Sequence, residues 1–244
     1  MYPINTFVQI FRMNKSKALF NWSTGKDSAL ALYYALKSAE FSVEKLITTV
    51  SEEYKRVSMH GVSKELLMKQ AEQLNLPLHQ ISIPTDASMK SYNSIMSEEL
   101  SGLRDEGYDY SIFGDIFLED LRKYREEKLS EVGLKAVFPL WKRSTKELIN
   151  EFLSLGFKAI TVSVDANLLD DSFVGVELNE DFFNRLPKNV DVCGENGEFH
   201  TFVFDGPIFK ETIDFTIGKK VLKHYEKSAN SNWESKFWYC DLES

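Results

Sequence analysis

Cysteine is scarce in this chain: Cys193 and Cys240 are the only two in 244 residues. They have neither the spacing of a metal site nor the density of a secreted, disulfide-stapled scaffold, so a reducing, cytoplasmic location is expected. Basic charge is in deficit as well. Lys and Arg number 29 against 37 Asp and Glu, a net charge of -8 at pH 7, which disfavours non-specific binding to nucleic acid or to a membrane surface. A local patch for a protein partner is compatible with that total. No apolar run is long enough to span a bilayer. Residues 1–12 are apolar in character but show no basic region and no cleavage site of a signal peptide. They read as an optional extension ahead of Met13. Internal repeats and low-complexity segments are missing too, which argues against a solenoid or a linker-rich protein. With 43% hydrophobic residues, the chain has material for one large or two modest cores.

What is present begins with an apolar run, Ala18 to Trp22, that feeds into Ser23-Thr24-Gly25-Lys26-Asp27-Ser28 and then a helix-like stretch, Ala29 to Leu36. A small-residue loop between a strand and a helix aims backbone N–H groups and the positive end of the helix dipole at an anion, and Lys26 adds a mobile positive charge. A nucleotide polyphosphate is the expected ligand. The loop is not a Walker A motif, since Phe20 and Asp27 stand where that motif has Gly and Ser or Thr. It resembles the Ser-Gly-Gly-Lys-Asp-Ser loop of the PP-loop ATP pyrophosphatases, with Thr24 in place of the first Gly. A β-branched residue there is strained if the position needs a positive φ. A plain helix N-cap is the alternative use of Ser, Thr and Gly before a helix.

Beyond the loop, strand and helix patterns alternate. Strands are expected at 46–51, 78–83 and 108–113, and helices at 63–75, 88–104 and 119–131. Repeated βα units imply an α/β fold with a parallel sheet covered on both faces, its ligand beyond the carboxyl ends of the strands. The 23–28 loop, Ser51 and Gly114-Asp115 should therefore meet. From Trp141 onward the pattern changes to a helix at 145–155, a strand at 159–164, a short helix or turn at 180–186, and short strands at 190–193, 200–204 and 215–217. The expected organisation is a parallel-sheet domain over 1–140 and a smaller mixed α/β domain over 141–244.

Two further groups carry chemistry. Gly114 at a strand end would let a ligand approach the backbone, Asp115 would hold magnesium or a ribose hydroxyl, and Arg122 would neutralise a phosphate or carboxylate. Helix capping by Asp115 and a solvated charged helix face are the plainer uses of the same residues. The second group is Gly194-Glu195-Asn196-Gly197-Glu198-Phe199-His200-Thr201. Asn196-Gly197 signals a tight hairpin turn, and two carboxylates with an imidazole can deprotonate and position an amine nucleophile. A metal is a poor match for that loop, because its acids fit no zinc pattern. His60 would stack near the nucleotide or serve the structure.

The loop, Met59-His60-Gly61, Gly114-Asp115-Ile116, Pro139-Leu140-Trp141, the 194–201 motif and Asp205-Gly206-Pro207 together resemble the diphthine-ammonia ligase family, over about residues 17 to 210. The resemblance implies a PP-loop domain of the adenine nucleotide alpha hydrolase type, with ATP and Mg2+ as cofactors. It implies adenylation of a carboxylate on diphthine, a modified histidine of elongation factor 2, and displacement of AMP by ammonia. Ser23 to Ser28, Ser51, His60, Gly114, Asp115 and Arg122 would bind the nucleotide, and Asp27 and Asp115 the metal. Lys26, Asp27, Glu195, Glu198 and His200 would carry the catalysis, the acidic hairpin accepting the proton of ammonium. Another carboxylate-bearing acceptor, sulfur transfer to RNA, a non-catalytic ATP sensor and a homodimer stay open.

Overall fold

Ala18, Leu19 and Phe20 have no exposed surface, so the first strand, β1 (Ser16–Asn21), is buried on both faces, as the middle strand of a parallel sheet should be. The structure is a computed structural model that describes residues 15–58, 61–225 and 235–244. Residues 1–12 and His60 lie outside the described residues. After β1 come α1 (Lys26–Lys37), β2 (Phe41–Ser51), β3 (Arg56–Val57), α2 (Lys64–Leu74), β4 (Leu78–Ile83), α3 (Met89–Asp105), β5 (Tyr110–Ile112), α4 (Glu119–Glu131) and β6 (Lys135–Val137). β4, β2, β1, β5 and β6 lie side by side in that order, all parallel, and β3 adds a short antiparallel pairing at the end of β2. The chain moves outward from β1 to β2 and β4, then returns to the other side of β1. That reversal places the switch point between the carboxyl ends of β1 and β5, where such sheets bind ligands.

The two faces of the sheet are covered unequally. Ala18, Phe20 and Trp22 point into a large core with α1 and α2, through Leu30, Leu32, Leu66 and Leu67. Leu19 points the other way, into a smaller core with Ile47, Leu100, Leu103 and Leu129. On that side α3 buries only Leu100 and Leu103, and α4 only Leu129, all in the C-terminal halves of their helices. The first halves of both helices leave space above the sheet.

The second region holds α5 (Thr145–Ser154), β7 (Lys158–Asp165), a 3-10 turn at Asp171–Phe173, α6 (Glu180–Arg185), β8 (Phe199–Asp205), β9 (Thr216–Tyr225) and β10 (Ser235–Glu243). Its four strands form an antiparallel sheet in the order β8, β7, β10, β9. Phe152, Ile160, Phe202 and Val203 of this region belong to the same core as Phe20 and Leu32, so both sheets share one apolar interior.

Several expected elements differ in extent. β2 starts at Phe41 rather than 46, because its first turn of pairing, opposite Ser16 to Ala18, is half-buried and mixes Ser42 and Glu44 with apolar residues. The expected strand at 190–193 is a turn, since its backbone bonds go to acids of its own loop. The expected strand at 215–217 is the start of the ten-residue β9, whose lysines and exposure on both faces hide its period.

Candidate active site

The 22–25 loop runs from β1 into α1 at the switch point. Thr24 has φ 75°, so the position does require the left-handed region, and this chain meets that need with a β-branched residue. Thr24 is fully buried, and its Oγ1 has no hydrogen-bond partner. What holds it is its carbonyl, which accepts from Val203 N of β8 at 3.0 Å and from Gln70 Nε2 at 3.1 Å. Gln70 is wholly buried on α2; it also donates to Val203 O at 2.7 Å and accepts from Trp22 Nε1 at 2.8 Å. One amide thus ties the loop, α2 and the second sheet together.

No side chain caps α1 at Gly25. Lys26 N donates to Thr201 Oγ1 at 3.0 Å, and Ser28 Oγ donates to Gly25 O at 2.9 Å while lying 3.1 Å from Ser23 Oγ. The Lys26 side chain is 4% exposed, and its Nζ lies 2.7 Å from Asp27 Oδ2 and 5.2 Å from the centre of the Phe199 ring. Burial works against the ammonium, but the acidic groups around it, Asp27 first and Glu195 further off, together hold Lys26 above its ordinary value. Lys26 is therefore a fixed charge rather than a mobile one. Asp27, whose side chain keeps 30% exposure, is pushed up by partial burial and by the nearby Asp191 and Asp115, against the pull of Lys26.

Gly114 faces this first turn directly. A β-carbon there would stand 2.9 Å from the carbonyl carbon of Asp27 and 2.9 Å from Ser28 N, so the close approach that demands glycine is that of the α1 backbone. Asp115 is nearly buried and pairs with Arg125, at 3.2 Å from Nη2 to Oδ1, and the Arg125 guanidinium lies 4.3 Å over Phe113. Asp115 Oδ2 faces Arg125 Nε at 3.2 Å, an ion pair without hydrogen-bond geometry.

The 191–198 loop covers the same end of the sheet. Two acids organise it from inside. Asp191 Oδ2 accepts from Cys193 N and Glu195 N. Glu198, 4% exposed, accepts from Asp191 N, Asn196 N and Asn196 Nδ2 at 2.9–3.0 Å. Glu195 reaches out of the loop instead: its Oε1 accepts from Ile116 N at 2.8 Å and Phe117 N at 3.3 Å, just beyond Asp115. Burial pushes the Glu195 carboxyl up to about 7 against those two N–H groups. Burial, with Lys26 nearby, pushes His200 down to about 4, so its imidazole is neutral at pH 7. The Cys193 thiol, buried against Thr145 O at 3.4 Å, is raised far above its usual range by that burial and is no nucleophile.

A cavity of about 940 Å³ opens between these loops and continues beneath the raised halves of α3 and α4. Its polar end is formed by Ser23, Asp27, Ser28, Gly114, Asp115, Glu195 and His200. Its apolar arm runs over Ile47, Thr48 and Thr49 of β2 to Tyr92, Met96, Phe113 and Tyr124. Thr24, Gly25 and Lys26 are buried behind its walls, and three further expected residues stand off them. Ser51 bonds to Thr85 across 3.2 Å, because β2 runs on past the cavity, and Thr48 and Thr49 take the wall position. Arg122 pairs with Glu126 at 2.8 Å and lies 4.6 Å over Trp141, while Arg125, one turn on, lines the cavity. Glu198 serves the interior of its own loop. Sequence reasoning gave no role to Gln70 or Asp191. Asp191 precedes the acidic motif, so a backbone-organising acid was in view there; a glutamine in an apolar helix carries no such signal.

A parallel α/β sheet with a ligand cleft at its switch point, lidded by an acidic loop from a second, antiparallel sheet, is the class of protein these features define. The family described as diphthamide synthase matches nearly all of the chain, its N-terminal domain over residues 15–136 and its C-terminal domain over residues 144–244. The chain belongs to the diphthamide synthase family. The diphthine–ammonia ligase of Bos taurus is 36% identical over 102 residues, or 39% of this chain and 38% of that protein. That of Danio rerio is 27% identical over 212 residues, or 78% and 83%. The chain thus matches little more than a third of the length of the bovine relative. Among solved structures, a predicted subunit of tRNA methyltransferase from Methanocaldococcus jannaschii is similar, with a TM-score of 0.42 and 19% identity over 60% of this chain and 80% of that one.

Proposed function

We propose that the chain is an ATP-dependent ligase that joins ammonia to a carboxylate, with diphthine of elongation factor 2 as the acceptor. The observation that carries this reading is the match of both family domains to one chain whose phosphate loop, Gly114-Asp115 turn and 191–198 loop converge on one cavity. In the reaction, an oxygen of the acceptor carboxylate attacks the α-phosphorus of ATP and pyrophosphate leaves. Ammonia then attacks the acyl carbon of the mixed anhydride and AMP leaves.

The chain's own groups suit these steps. The first turn of α1 reaches the cavity at Asp27 and Ser28, and its backbone N–H groups other than that of Lys26, which Thr201 takes, offer donors to the departing pyrophosphate; the fixed ammonium of Lys26 offsets part of its charge. Glu195 has its carboxyl poised near neutral pH, the value that serves a general base best; it takes the proton that ammonium must lose. The neutral His200 is too weak a base for that proton and shapes the pocket beside it. Glu198 keeps the loop rigid. For magnesium, the carboxylates at the cavity wall are Asp115, whose Oδ2 lies 3.2 Å from Arg125 Nε without a hydrogen bond, and Asp27, paired with Lys26; both would turn from those cations to hold it. Two carboxylates match a cation that keeps waters and substrate phosphates as its other ligands, and when bound it would neutralise charge on the phosphates. Among the described residues no three His, Cys, Asp or Glu groups gather as a metal site, so phosphates must complete the ligand set.

The test is nucleotide product analysis with ATP and magnesium, with and without ammonium, and with and without diphthine-bearing elongation factor 2. AMP formed only when acceptor and ammonium are both present supports the ligase. ATP left intact under every condition overturns it.

A further inference from the structure

β10 pairs with β7 on one side and β9 on the other, and one face of this ribbon continues from the cavity to the outside. Phe237 lines the cavity beside Asp165, its partner on β7. Opposite Phe237 on β9 stands Lys223, and opposite Tyr239 stands Val221, so these side chains share a face. Tyr225, Phe237 and Tyr239 form a chain of rings with centroids 6.4 and 6.3 Å apart, and the Tyr225 and Tyr239 hydroxyls meet at 3.1 Å. Lys223 Nζ lies 5.1 Å over Tyr239. Val221 and Tyr225 are 47% and 44% exposed. β9 carries Lys219, Lys220 and Lys223 and no acid, in a chain of net charge -8. Of the acids on the ribbon, Asp241 is held by Arg56 through two bonds of 2.8 and 3.1 Å, Asp165 accepts from Asn167, and Glu243 stands at the far end of β10, opposite Thr216. Lys220 turns to the other face and donates to Asp171 O at 2.7 Å, which leaves Lys219 and Lys223 on the aromatic face that forms a lip at the mouth of the cleft.

We propose that this lip, Lys219, Val221, Lys223, Tyr225, Phe237 and Tyr239, docks an acidic segment of the protein that carries the acceptor carboxylate. The proposal rests on the ligase reading above. A peptide of a few carboxylates matches the charge. RNA is the poorer match, because two lysines on an acidic protein release few counterions and because the rings pack against each other at 71° and 46° rather than as open stacking platforms. Docking here would lead the acceptor past Phe237 into the polar end of the cavity.

The experiment compares the full chain with Lys219→Glu/Lys223→Glu and with Tyr225→Ala, all exposed and outside the catalytic groups. The KM for diphthine-bearing elongation factor 2 is expected to rise about tenfold in the charge-reversed variant, with the KM for ATP unchanged. Association of the wild type with that protein should weaken as salt rises, and less so in the variant. An unchanged KM overturns the lip while leaving the ligase standing. A wild type that makes no amide overturns the ligase reading, and the lip is then read from direct association: no binding of the acceptor protein, or binding indifferent to the substitutions, overturns it as well. Binding of oligouridylate in place of the protein, lost in the double variant, overturns it in favour of RNA.

Discussion

Replacing Thr24 by glycine is expected to stabilise the fold by about 2 kcal/mol, the balance of four terms. A residue with a β-carbon held in the left-handed region loses ~1–2 kcal/mol, and Thr24 sits at φ 75°. Its buried hydroxyl, without a partner, costs a further ~1–3 kcal/mol. Against these gains, glycine adds about 0.5–1 kcal/mol of chain freedom to the unfolded state, and the lost methyl gives up about 0.8 kcal/mol of burial. The carbonyl bonds to Val203 and Gln70 involve only the backbone of residue 24 and survive the change.

Thermal and urea unfolding read the result. For a chain of this length, each kcal/mol moves the midpoint by about 2–4 °C. Two companion variants separate the terms. Thr24→Val keeps the β-branch and removes the hydroxyl, so it recovers the polar term alone; Thr24→Ala keeps the strain and falls below Thr24→Gly. A Thr24→Gly variant that melts below the wild type would show that backbone strain is not stored at this loop and would refute the reasoning.

Gly114→Ala places a β-carbon 2.9 Å from the α1 backbone; it is expected to destabilise by ~1–3 kcal/mol and to raise the KM for ATP, and a variant matching the wild type in both would contradict the close packing. Gln70→Leu strands Trp22 Nε1 and weakens the hold on the Thr24 and Val203 carbonyls, a loss of about 2–4 kcal/mol in urea denaturation; a loss well under 1 kcal/mol would remove Gln70 from the account. Glu195 titrates near 7 when folded against an ordinary 4.5, so between those values the folded chain holds a proton the unfolded chain releases, and its contribution to stability falls as pH rises. His200, lowered from 6.5 to about 4, acts with the opposite sign over nearly the same window. Glu195→Gln removes the falling part alone, so the variant's urea midpoint should climb relative to the wild type from pH 4.5 to 7, and parallel profiles would refute the shift.

How much of this was legible in sequence depended on whether the signal was local. β1, the phosphate loop and α1 were, because a strand buried on both faces is a continuous apolar run and a loop of small residues must follow it. The strain at Thr24 was conditional on a φ that only the fold could supply. β10 was missed and β9 was read only at its start, since an edge strand exposed on both faces has no apolar period and its partner is set by a long-range register. Arg122 and Arg125 sit three residues apart on one helix, and the choice between them turned on which face of α4 overlooks the cavity.

The acidic loop shows why residue types alone do not assign roles. Glu195 and Glu198 are three residues apart and chemically close. Gly194 at φ 65° and Gly197 at φ 89° turn the chain twice between and around them. The first turn brings the backbone of Gly194 against Phe199, where a β-carbon would lie 2.9 Å from the ring and 2.9 Å from its carbonyl oxygen. Folding back in this way points Glu198 at the amides of Asp191 and Asn196, where three bonds consume it. Glu195 is left facing outward to Ile116 and Phe117 with one oxygen, and its second oxygen is not needed to hold the loop. A buried acid saturated by its own loop is a structural part, and its neighbour, raised to about 7 at the cavity wall, is the one available to move a proton. Glu195→Gln should therefore abolish amide formation with the fold retained, whereas Glu198→Gln should act first through the loop, lowering stability before chemistry.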